Sequence, residues 1–142
     1  MQRLRNFMNK HEARELLRCH SFIHDDLEHP KMRSGFLGML RPFQGELIED
    51  NFHELMTIIE VLADELEKPS VERELISALW GICQYTRAWA LHPDGMLQRN
   101  HLLTVEQIST LDDWIDTISY AVMVLLEGGG TEEALSNYRQ RE

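Results

Sequence analysis

The sequence is short of the residues that announce most chemistries. Among 142 residues there are two cysteines, Cys19 and Cys83, with no Cys-x-x-Cys spacing. Each reads as a small buried apolar residue, and a disulfide between them would need their helices to abut. No apolar run approaches the ~20 residues that cross a bilayer, which excludes a transmembrane helix. The start, Met1-Gln2-Arg3-Leu4-Arg5-Asn6, is basic but is followed by no apolar h-region or small-residue cleavage site, so a cytoplasmic rather than a secreted protein is expected. There is no Gly-x-Ser-x-Gly and no strand-preceded glycine loop for phosphate. Alternating β-branched stretches are rare, and proline occurs at only four positions, 30, 42, 69 and 93.

What is present is helical periodicity and acid. Apolar residues make up 43% and charged residues 27%, a globular mixture that argues against disorder. With 14 Lys/Arg against 24 Asp/Glu the net charge is −10. Residues 1–42 carry 8 basic and 5 acidic side chains, residues 43–68 carry 1 and 8, residues 69–103 carry 3 and 3, and residues 104–142 carry 2 and 8. Two acidic blocks therefore flank a neutral one. Such a surface repels phosphate backbones, which disfavours direct nucleic-acid binding, and attracts a basic protein.

The periodicity predicts an all-α, single-domain bundle of four main helices plus a short C-terminal one, spanning about 9–27, 44–67, 70–91, 104–127 and 131–140. Asn9 with Glu12 opens the first. In the second, Ile48, Phe52, Leu55, Ile59, Leu62 and Leu66 make one narrow stripe. The third, capped by Ser70, has Val71, Leu75, Leu79, Ile82 and Trp89 on its stripe, with Ile76, Trp80 and Cys83 widening it. An apolar arc so broad marks this helix as the buried centre. Thr104-Val105-Glu106-Gln107 is a capping box for the fourth, whose stripe is Ile108, Leu111, Ile115, Ile118, Val122 and Leu125. Gly128–Gly130 end it, and Thr131 caps the last.

Seven histidines raise a metal reading. His20 and His24 are four apart on one helix face, with Asp25 and Asp26 following, and Asp50 and His53 form an acid-x-x-His element. No third ligand is forced to converge on the pair, and the plainer expectation is solvated histidines and no cofactor. His24-Asp25 matches the dipeptide of the HD phosphohydrolases, but their upstream His and distant Asp have no counterpart. Glu46-x-x-Glu49 is similar to the first acidic pair of helical nucleotide pyrophosphatases, yet the next helix offers only Glu72 and Glu74, which do not share a face. Cys19 and His20 are neighbours on a helix and point apart.

No catalytic set follows from these residues. A protein-interaction module is expected instead, binding and neutralising a basic protein partner such as a toxin domain, in the manner of immunity proteins and antitoxins. Its contacts would be the acidic strip Glu46, Asp50, Glu60, Asp64 and Glu67, with Phe36, Arg87 and Trp89 as anchors at the two loop regions, since Arg and Trp are favoured in interface hot spots. The apolar stretch 34–43 either packs over the bundle end or presents Phe36, Met39 and Phe43. Arg87 could instead pair with a carboxylate of the fourth helix. The alternatives are a self-assembling subunit or homo-oligomer built on the narrow stripes, and a metal-dependent hydrolase using His20 and His24.

Overall fold

The computed structural model of the chain describes residues 8–141; the basic start lies outside them. Their regular secondary structure is all helix, with no strand among the described residues. In chain order the helices are α1 (Lys10–His20), α2 (Pro30–Ser34), α3 (Phe36–Leu40), α4 (Glu49–Val61), α5 (Ala63–Leu66), α6 (Arg73–Thr86), α7 (Met96–Arg99), α8 (Val105–Leu126), α9 (Thr131–Ala134) and α10 (Ser136–Arg139), and α6 runs on into a π-helical turn, Arg87–Leu91. None is long and apolar enough to cross a membrane.

Local chemistry fixes several ends as expected. Asn9 accepts the Glu12 amide at 2.8 Å to open α1. At α8 the Thr104 hydroxyl accepts from the Gln107 amide while the Gln107 side chain accepts from the Thr104 amide, a complete capping box. Gly128, at φ +75°, turns the chain back so that the Gly129 N–H reaches the Val124 carbonyl at 2.8 Å.

Other boundaries differ from the periodicity. The first helix stops at His20, seven residues before the expected end, because Phe22 takes φ +65°. The second begins at Glu49, not residue 44: Gly45 sits at φ +99° and its carbonyl is taken by Gln107 of α8, so 44–48 runs outside the helix with Ile48 exposed. The third starts after Glu72, and Ser70 does not cap it. Gly130, not Thr131, occupies the last cap position.

One apolar core joins these helices. Its densest part is aromatic. Phe52 of α4 stacks on Trp114 of α8 with ring centroids 5.3 Å apart, Phe36 of α3 meets the same indole at 6.2 Å, and Tyr138 of α10 meets Phe52 edge-on at 5.5 Å. Within the 34–43 stretch, residues 35–40 therefore pack inward, folding into α3 from Phe36, and Phe43 is partly covered. The buried centre is α4, with Leu55 to Ile59 buried in succession, rather than the 70–91 helix. That helix buries Leu75, Leu79, Ile82 and Cys83 but leaves Ile76 and Trp80 exposed.

Candidate protein-docking site

The acidic strip of the 43–68 block is largely consumed by the chain's own cations. Lys10 of α1 bonds Asp64 at 2.8 Å and Glu65 at 3.2 Å. Arg14 bonds Glu65 at 3.1 Å and Glu72 at 2.6 Å. Lys68 and Lys10, bonded to the Glu65 carboxyl, hold it at about 2. Arg139 meets Glu60 at 3.2 Å, and Glu67 accepts the Gly130 N–H at 3.0 Å. Of the strip only Glu46 and Asp50 are exposed without an ion pair among the described residues. Lys10 and Arg14 of α1 lie against this block, a pairing that charge counting along the chain does not see.

The two expected aromatic anchors are also engaged internally. Phe36 is fully buried in the aromatic core and is no exposed anchor. Trp89 is half-buried, stacked on Tyr85 at 5.0 Å with the Arg41 guanidinium 5.2 Å from its ring centre. Arg87 is exposed and reaches α8, but through the Ser119 hydroxyl at 3.1 Å and not through a carboxylate.

The histidines diverge. His20 is fully buried, contrary to a solvated histidine: its Nδ1 accepts the Phe36 N–H at 2.8 Å and its Nε2 lies 2.7 Å from Glu54. His24 bonds Glu15 at 2.9 Å and accepts the Asp26 N–H at 3.0 Å. His53 lies between Tyr138 at 2.6 Å and Glu49 at 3.0 Å. With both ring nitrogens of each imidazole committed, the pair His20 and His24 does not come together on an ion. Among the described residues no group of three or more His, Cys, Asp or Glu is placed to hold a metal.

The surface that stands out is one the periodicity assigned to the core. Trp80 is 70% exposed. It stands between two hollows: a groove of about 470 Å³ shared with α8, and a shallower one of about 640 Å³ on the side of Ile23 and Tyr85. The groove is walled by Ile76, Trp80 and Cys83 of α6 and by Val122, Met123 and Leu126 of α8. Ile76, Tyr85, Met123 and Leu126 are exposed beside the indole. Large apolar side chains gathered in one exposed patch mark interaction sites, whereas single ones are ordinary.

Helix geometry explains the patch. On α6, Ile76 and Trp80 are one turn apart and share a face; on α8, Ser119, Met123 and Leu126 repeat at 4 and 3. Cys83 meets Ser119 near the middle of α8 while Ile76 shares the groove with Leu126 near its end, so the helices run antiparallel. At the groove floor the Ser119 hydroxyl donates to Cys83 Sγ at 3.3 Å, and burial pushes the Cys83 thiol up. Burial outweighs the Ser119 bond and the Arg87 charge, so the sulfur stays a thiol, and the walls are mostly hydrocarbon, so the groove is suited to apolar contact.

A signal for this face was present in the sequence. An arc including Ile76, Trp80 and Cys83 beside the stripe is wider than a bundle edge needs. Periodicity shows that such an arc is apolar and not whether its cover comes from the same chain. No family model matches the chain, and no curated protein and no solved structure matches it, so the functional reading rests on these side chains.

Proposed function

We propose that this chain is an acidic protein-interaction module that binds and does not catalyse, and that it docks through the α6/α8 groove around Trp80. The observation that carries the reading is the 70% exposure of Trp80 beside an apolar groove of about 470 Å³. A tryptophan flanked by aliphatic side chains is the composition of an interface hot spot. Asp112 and Asp116, exposed on α8 and without an ion pair among the described residues, together with Glu127 on the groove wall, favour a partner that brings cations around an apolar contact. Inhibition of a basic protein, as immunity proteins and antitoxins do, is the functional class that suits a chain of net charge −10.

The test compares the wild-type chain and Trp80→Ser as baits in extract of the source cell, with the fold of each verified by circular dichroism. A basic protein held by the wild type should dissociate from the variant at least about tenfold faster, as for a hot spot worth ~1.4 kcal/mol or more. Equal retention of the same proteins by both baits would remove the groove from the binding surface. Self-assembly is the second reading, favoured by the arrangement of charge on the groove's two rims.

A further inference from the structure

We infer that the surface which fills the α6/α8 groove is a second copy of this chain, related by a two-fold axis lying in the groove face and parallel to the two helices. The inference rests on the reading of that groove as a docking face, and it puts a second copy there in place of a basic protein. What points to a second copy is that the two rims carry opposite charge, in a pattern complementary to itself under only one of two face-to-face arrangements.

On the α6 side the rim is basic at both ends. Arg73 borders the hollow that Ile76 and Trp80 share, and Arg87 borders the far end of the groove. On the α8 side the rim is acidic at both ends. Glu127 lines the groove at the Ile76 end, and Asp112 borders the hollow at the Arg87 end. Because the helices are antiparallel, Arg73 and Glu127 stand at one end of the face, and Arg87 and Asp112 at the other.

A two-fold axis parallel to the helices lays α6 of one copy over α8 of the other without reversing the ends. Arg73 then faces the other copy's Glu127, Arg87 faces its Asp112, and Trp80 lies over its Met123. Each contact occurs twice, as an isologous interface requires. The four helices become a bundle in which every neighbour is antiparallel, the common up-and-down arrangement. A two-fold axis across the helices instead sets α6 on α6 and α8 on α8. It brings Arg73 against Arg87 and Asp112 against Glu127, like charges at both ends. Such juxtapositions suppress an arrangement, so the rims select the first.

Sedimentation equilibrium of the full chain tests this. The wild type should show twice the 16.7 kDa chain mass, and Trp80→Glu should show the single mass with its helical content intact. Arg87→Asp and Asp112→Arg should each weaken the dimer about tenfold or more, since each sets two like-charge contacts at the interface. Mixed one to one, these two variants should form a heterodimer of wild-type strength, because every Arg and Asp at those junctions again meets its opposite on the other copy. Rescue in the mixture cannot come from a contact within one chain. A wild type that stays monomeric at about 100 μM overturns the inference, as does a dimer indifferent to Trp80→Glu and to both charge variants. If the chain is monomeric yet holds a basic partner in a Trp80-dependent way, the second copy is wrong and the docking face stands. If it is monomeric and Trp80 is immaterial to capture, both fall.

Discussion

His20 and Glu54 form a buried pair: the imidazole Nε2 lies 2.7 Å from a Glu54 carboxylate oxygen, with the His20 side chain fully excluded from water. On its other side Nδ1 accepts the Phe36 N–H at 2.8 Å, so the ring hydrogen sits on Nε2 and is donated to Glu54. Lys31, 3.3 Å from the same carboxylate oxygen, supplies positive charge. The pair ties the end of α1 to α4 and to the first turn of α3.

Stability should fall in acid in two stages. Burial lowers the His20 pKa below its ordinary 6.5, against a partial upward pull from Glu54. The unfolded chain therefore binds a proton there that the folded chain refuses, and stability is lost as pH drops below about 6.5. At Glu54 burial pulls the pKa up, but the hydrogen bonds from His20 and Lys31 and the Lys31 charge outweigh it and hold the carboxyl below 4.5. Its contribution is present above that value and fades as pH falls further. Melting temperature measured from pH 8 to pH 4 should decline from about pH 6.5 downward. A flat profile between pH 7 and pH 5 would contradict a buried neutral His20.

His20→Ala and His24→Ala should behave differently. The first leaves the Phe36 N–H without its acceptor and strips Glu54 of a donor, an expected loss of about 2–3 kcal/mol. The second removes a contact at the margin of α1 and should cost below ~1 kcal/mol. Denaturant titration of both variants separates them, and equal small losses would show that the buried pair carries no stability.

Charge reversal at Glu60 and Asp64 should act on the fold before it acts on a partner. Arg139 and Lys10 already occupy these carboxylates at 3.2 and 2.8 Å. Glu60→Lys with Asp64→Lys should lower stability by about 1 kcal/mol, a modest amount because such pairs lie near water. Urea midpoints check this, and unchanged midpoints would mean that the pairs are not held in solution.

Leu79→Asp and Ile115→Asp should each abolish the cooperative melt. Both side chains are buried in the core, and an unpaired carboxylate there costs several kcal/mol against a whole-domain stability of ~5–15 kcal/mol. Circular dichroism on heating reads the outcome. A normal melt for either would displace that residue from the core.

The parts of the fold that the sequence reveals are those set by neighbours in the chain. Thr104, Gln107 and Gly128 mark both ends of α8 because caps are local hydrogen bonds. The end of α1 is set otherwise: nothing in Ser21-Phe22-Ile23 announces a phenylalanine at φ +65°. The ring of His20, expected in solvent, is fixed by Phe36 and Glu54, 16 and 34 residues away. The site is legible to the same extent. The sequence offers Arg87 as an anchor or as the partner of a fourth-helix carboxylate; it borders the groove, but it bonds the Ser119 hydroxyl. The spacing assigns Trp80 to the core, since an apolar arc looks the same whether its cover is its own chain or another. Glu60, Asp64 and Glu67 read as one strip, and only the fold shows the Lys10, Arg139 and Gly130 partners that take them up.

The chain's tryptophans lie in three different surroundings: Trp114 is sealed in the core, Trp89 is half-covered beneath Arg41, and Trp80 is open to water. Its intrinsic fluorescence is thus already partitioned. Acrylamide should quench the Trp80 emission at the red edge while leaving the Trp114 component nearly untouched. Covering the groove should shift that red component toward the blue and shield it. The exposed indole serves as an optical probe of its own occupancy, with no label added.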